Sequence, residues 1–171
     1  MALREIREQG DPILTKPCRE VKELTPRIRE LIEDMFETMY EANGVGLAAP
    51  QVGVLRRICI VDVGEEQGGS FVLINPEIVE TEGEQTGDEG CLSLPGKAGK
   101  VTRPMKVKVR ALNEEMQPYE AEGEGLLARA FCHEIDHLDG HMYTERVEGP
   151  LHDVNSEPEE TEEEDGEEEQ A

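Results

Sequence analysis

The chain has 171 residues, with 17 Lys and Arg set against 40 Asp and Glu, for a formal net charge of −23. That length suits one domain with a sizeable core, and the acidity argues against tight nucleic-acid binding, which needs clustered Lys and Arg. No run approaches the roughly 20 apolar residues of a membrane span, and the opening MALREIREQGDP has no apolar signal core, so a cytoplasmic protein is expected, without a membrane partner. Its four cysteines, Cys18, Cys59, Cys91 and Cys132, then read as free thiols or metal ligands.

The first dozen residues alternate weakly and meet the turn signal Asp11-Pro12, which predicts an extended or loosely ordered arm. Thr25-Pro26 marks a helix start, with Thr25 as N-cap and Pro26 at the first helical position. Ile28, Leu31, Ile32, Met35, Phe36 and Met39 follow the 3.6-residue period to a stop at Asn43-Gly44. The stretch GVGLAAPQVG, Gly44 to Gly53, predicts irregular backbone with small side chains where another group must come close.

Arg57 to Val63 and Phe71 to Asn75 are β-branched runs separated by GEEQGG, and both read as strands. Residues 77–86 alternate less cleanly. Lys106 to Leu112 alternates strictly and turns at Asn113 to Gln117 toward a short strand around Tyr119 and Ala121. The expected fold class is α+β: antiparallel β-sheets packed around a C-terminal helix, with a further N-terminal helix. From Asp153 to Ala171 there are eleven acidic residues and no basic ones, leaving −12 on the rest of the chain. The expected organisation is a single domain over residues 1–150 and an acidic, disordered tail over 151–171.

The stretch GLLARAFCHEIDHLDG, Gly125 to Gly140, organises the rest. Leu127, Phe131, Ile135 and Leu138 form an apolar helical stripe, Leu126, Ala130, His133 and His137 form a second one beside it, and Gly140 suits a left-handed helix end. His133 and His137 lie one turn apart on one face, where two neutral imidazoles can hold a divalent metal, and Glu134 can act as proton acceptor for a water at that metal.

A hydrolytic site needs a third protein ligand and an open position. The longer HExxHxxGxxH pattern would put a histidine at position 143, which is Tyr143. Cys91, in the irregular EGCLSLP between Gly90 and Pro95, is the better candidate. Cys59 reads as a core residue in a strand, Cys18 lies in the arm, and Cys132 points about 100° away from its neighbour His133. Glu89 could hold this loop by hydrogen bonding or lie exposed. Two other readings stay open: a metal-dependent peptidase, and a closed structural metal site whose fourth ligand would be Cys132, His141 or His152.

GVGLAAPQVG, EGCLSLP and HEIDH, in that order and spacing, resemble the three signature motifs of bacterial peptide deformylases, and the resemblance covers residues 1–150 as a catalytic domain. It implies a hydrolase that removes the formyl group from the N-terminal formylmethionine of nascent polypeptides, near the ribosome, and releases formate. Carried over residue by residue, it implies metal ligands Cys91, His133 and His137, with Glu134 as general base and acid for attack by metal-bound hydroxide. Gln51 and the backbone N–H of Leu92 would face the reacting carbonyl. The implied cofactor is one divalent ion, Fe(2+) first, with Zn(2+), Ni(2+) or Co(2+) able to occupy the site. Val45, Leu126 and Ala130 offer a methionine pocket, and Gly46 a place for a substrate strand to pair with main chain. The family usually has glutamine just before the first histidine; this chain has Cys132.

Overall fold

A computed structural model describes residues 2–154. Its first helix, α1 (Pro26–Glu41), begins as the sequence predicts: the Thr25 side chain accepts from the Ile28 N–H at 3.2 Å, and Pro26 occupies the first turn. The strands that follow are β1 (Gly46–Ala48), β2 (Ile58–Asp62), β3 (Ser70–Glu82), β4 (Gln85–Cys91), β5 (Leu94–Arg103), β6 (Lys106–Leu112) and β7 (Pro118–Glu124). Then come α2 (Leu126–Leu138) and β8 (Glu148–Asp153). Among the described residues no helix is long and apolar enough to cross a membrane.

The strands form two antiparallel sheets, one in the order β1-β2-β3-β6-β7 and the other in the order β4-β5-β8. β2 explains the packing. Cys59 and Val61 join α2 residues Leu127, Phe131, Ile135 and Leu138 in one core, whereas Ile58 and Ile60 join α1 residues Leu31, Ile32, Met35 and Met39 in the other. A strand buried on both faces carries no polar alternation, which is why RICIVDV reads as a continuous apolar run. The larger sheet is thus covered by α1 on one face and α2 on the other.

Four stretches depart from expectation. Gly44 to Gly53 is only partly irregular, because Gly46–Ala48 pairs with Ala48 opposite Cys59 before a tight turn at Ala49–Val52. β3 runs on through Glu82, bending at register shifts after Ile74 and Ile78. EGCLSLP is the tip of the β4–β5 hairpin, with Cys91 opposite Leu94 after a shift at Gly90. β8 runs three residues past the expected domain end at 150 and pairs with β5. The tail expected over 151–171 lies, from residue 155 on, outside the described residues.

The N-terminal arm is extended and tied down. Arg7 and Gln9 donate their backbone N–H groups to Gln51 O and Ser93 O, both at 2.7 Å, so the arm bridges the two loops that flank the site.

Candidate metal centre and active site

α2 divides its surface as the two stripes predict. Leu127, Phe131, Ile135 and Leu138 are buried in the core, while Ala130, His133 and Glu134 line a groove of about 600 Å³, with Leu126 at its exposed rim. Gly140 takes φ +85° just past the helix, a left-handed conformation suited to glycine.

The β4–β5 tip brings Cys91 against this helix. One donor atom each from Cys91, His133 and His137 lie within 4.8 Å of one another, and among the described residues no fourth His, Cys, Asp or Glu joins them. Cys91 Sγ is 3.3 Å from His137 Nε2 and accepts from the Ser93 N–H at 3.4 Å. The residues weighed as a fourth ligand are engaged elsewhere. Cys132 is buried in the core, and burial pushes its thiol up to about 11; His141 contacts Glu145, and His152 contacts Asp88. Tyr143 is buried, stacks over the His133 ring at 6.0 Å and donates to Lys97 O.

The donor chemistry fits a divalent cation. Burial, and then the neighbouring His133, hold His137 well below its ordinary pKa, in the neutral form that ligates. Its Nδ1 and Glu134 Oε1 are buried polar atoms without a partner among the described residues. Burial pushes the Glu134 carboxyl up to about 7, against the opposing pull of His133. A carboxyl in that range can both take and return a proton near neutrality.

Glu89, left open between two roles, is buried and faces His133: Oε2 lies 2.5 Å from Nδ1. An ionised carboxylate only accepts, so Nδ1 carries the hydrogen; against the effect of burial, Glu134, Cys91 and Glu89 hold His133 well above its ordinary pKa, and a cation bound at Nε2 would take the place of the proton there. Sequence reasoning missed what holds Glu89. Arg103 donates to it from Nε and Nη2 at 3.1 and 2.6 Å, and Arg129 from Nη1 at 2.8 Å. Arg103 also reaches Asp136, which Arg146 holds from the far side at 2.7 Å. Burial works against the Glu89 charge, but the bonds from His133 and Arg103 outweigh it and hold the carboxyl well below the usual range. One signal was present: Arg129 interrupts the apolar run LLARAFC one turn before His133.

Gln51 is buried, with Oε1 accepting from the Ala48 N–H at 2.9 Å. That bond turns Nε2 toward the site, where it lies 3.0 Å from Ser93 Oγ and 3.5 Å from Cys91 Sγ. Leu92 packs over Gly44, where a Cβ would come within 2.6 Å of its Cδ1; a Cβ on Gly46 would lie 2.5 Å from Glu134 Oε2. Both glycines therefore serve close approach by the chain's own side chains. Val45 and Gly46 line the groove, as do Leu126 and Ala130.

The family model for polypeptide deformylase matches residues 3–152. A peptide deformylase of Agathobacter rectalis is 69% identical over 157 residues, covering 92% of this chain and 98% of the relative. The crystal structure of a peptide deformylase from Thermotoga maritima superposes with a TM-score of 0.82 at 40% identity, over 86% of this chain and 99% of that one. One from Synechococcus elongatus, in complex with actinonin, gives 0.81 at 39% identity, over 85% and 79%. With the match running from the N-terminal arm into β8, this chain belongs to the polypeptide deformylase family.

Proposed function

We propose that this enzyme hydrolyses the N-formyl group of formylmethionyl peptides as they emerge near the ribosome in the cytoplasm, using one divalent metal ion held by Cys91, His133 and His137. The observation that carries the reading is the convergence of those three donors beside a buried carboxylate, Glu134, in a groove open to solvent. An ion with this ligand set supplies a Lewis acid that lowers the pKa of water toward neutrality. Thiolate and imidazole suit Fe(2+), Zn(2+), Ni(2+) and Co(2+), and Fe(2+) is the ion we assign.

Glu134 takes the proton of the attacking water and delivers it to the departing amine, work worth about 10²- to 10⁴-fold in rate. Gln51 Nε2 and the Leu92 N–H donate to the oxygen on which charge develops; losing one such donor costs about 10²- to 10³-fold. Glu89 keeps His133 in its ligating tautomer. Val45, Gly46, Leu126 and Ala130 seat the methionine end of the substrate. The same residues could serve a peptidase, but the family match favours the formyl amide.

The test is formate release from a short neutral formyl-Met peptide by anaerobically purified, iron-loaded protein, with Glu134→Ala and Cys91→Ala alongside. Formate should appear with wild type alone, and the unformylated peptide should remain intact. Cleavage of the unformylated peptide would establish the peptidase instead.

A further inference from the structure

Arg129 stands among the residues assigned to the methionine end of the substrate. Leu126, Arg129, Ala130 and His133 share one face of α2, and all four line the groove. The Arg129 side chain is nine-tenths buried. Its Nη1 is fully used, donating to Glu89 Oε1 at 2.8 Å and to Val101 O at 3.1 Å. Its Nη2 makes no hydrogen bond among the described residues and is not closed off from solvent. The facing strand leaves this nitrogen uncovered: Gly87 lies on the same face of β4 as Glu89, and a Cβ there would stand 3.6 Å from Nη2.

A donor so placed lacks a good acceptor in methionine, because a thioether sulfur accepts only weakly. Oxidation to the sulfoxide adds one polar oxygen near the tip of the same side chain. Arg129 precedes His133 by one helical turn, about 6 Å along the axis, a span comparable to the reach of a methionine side chain. A neutral oxygen suits the site better than a carboxylate does. Glu89 already balances the Arg129 charge, and Asp88 and Glu134 also line the groove, so a further anion would meet like charge.

We propose that Arg129 extends the substrate range to formylated peptides whose first residue is methionine sulfoxide, with Nη2 donating to the sulfoxide oxygen. This role rests on the deformylase reading. The reaction is the same hydrolysis: water adds across the formyl C–N bond, formate and the free amine leave, and the sulfur keeps its oxidation state.

The experiment measures formate release by the metal-loaded full chain from three short neutral peptides, which begin with formyl-norleucine, formyl-Met or formyl-methionine sulfoxide. Norleucine matches methionine in shape and offers no acceptor. In the unmodified protein kcat/KM for the sulfoxide should stay within about 10-fold of that for norleucine. Arg129→Lys keeps a cation for Glu89 but has no second guanidinium nitrogen. The sulfoxide-to-norleucine ratio should fall about 10- to 100-fold in this variant, and also in Arg129→Met, which has no donor at all. Any loss of metal through Glu89 lowers all three rates together and cancels in the ratio. A ratio unchanged in both variants overturns the role of Arg129 and leaves the deformylase intact, as does a sulfoxide more than about 10-fold below norleucine in the unmodified protein. Formate from none of the three peptides overturns the deformylase reading and this role with it.

Discussion

Glu89 Oε2 and His133 Nδ1 lie 2.5 Å apart in the interior, and this contact couples the β4 strand to the helix that bears the HExxH motif. Glu89 sets the hydrogen on Nδ1 and is itself clamped by Arg103 and Arg129. Glu89→Gln keeps the shape but removes the charge both guanidiniums face. Metal affinity should fall about 10- to 100-fold, as is typical when the partner of a ligating histidine is lost. Melting should also move down, because buried Arg129 loses its carboxylate partner and buried Arg103 is left with Asp136 alone. Metal retained after dialysis against a graded chelator checks the first effect, and a surface control, Arg110→Gln, should leave it unchanged.

Gly46 separates activity from folding. An alanine there would put its Cβ 2.5 Å from Glu134 Oε2, so the carboxylate must move by about 1 Å. Displacement of that size can cost on the order of 10²-fold in rate. Gly46→Ala should therefore lower kcat by about that factor with metal content unchanged. Equal losses of kcat and bound metal would show that the helix, and not the carboxylate alone, had shifted.

Both helices were legible because their information is local. The periodicity of Ile28 to Met39 and the four-residue spacing of His133 and His137 need no distant partner to be read. The β4–β5 hairpin was not legible, since QTGDEGC and LPGKAGKVTR are poor in the β-branched residues that signal strands. Their pairing turns locally at Leu92–Ser93 but leaves no side-chain pattern, and β8 joins β5 only from far along the chain. The Glu89, Arg103, Arg129 and Asp136 network was hidden for the same reason: its members are spread from β4 to α2, and a buried charge is interpretable only once the fold brings its counterion. Cys91 stood out from motif context, although the hairpin tip that holds it was expected to be irregular.

Arg57, just before β2, closes the far end of α2. Its Nη1 donates to Leu138 O at 3.3 Å and to Asp139 Oδ1 at 2.9 Å, and its Nη2 to Pro76 O at 3.2 Å. A cation at a helix C-terminus also meets the negative end of the helix dipole. Arg57→Met, which retains the apolar stem, should cost about 1–2 kcal/mol. Urea unfolding of the metal-loaded protein reads this directly, and an unchanged midpoint would mean that solvent replaces the guanidinium without loss.

Asp34 gives the N-terminal arm a pH dependence of known sign. Its carboxylate is buried on α1 and accepts from the Ala2 N–H at 2.7 Å and Arg4 Nε at 2.8 Å. Burial opposes the charge, but these bonds prevail and hold the carboxyl below its ordinary value. A carboxyl depressed on folding contributes stability that is complete above its unfolded value, about 3.9, and is lost as pH falls through the folded value. Asp34→Asn should therefore be less stable than wild type at neutral pH by about 1–2 kcal/mol. The gap should close as the solution is acidified below about pH 4. Parallel urea titrations of the two proteins across that range measure it, and a gap that widened in acid would contradict the assignment of the charge to folded Asp34.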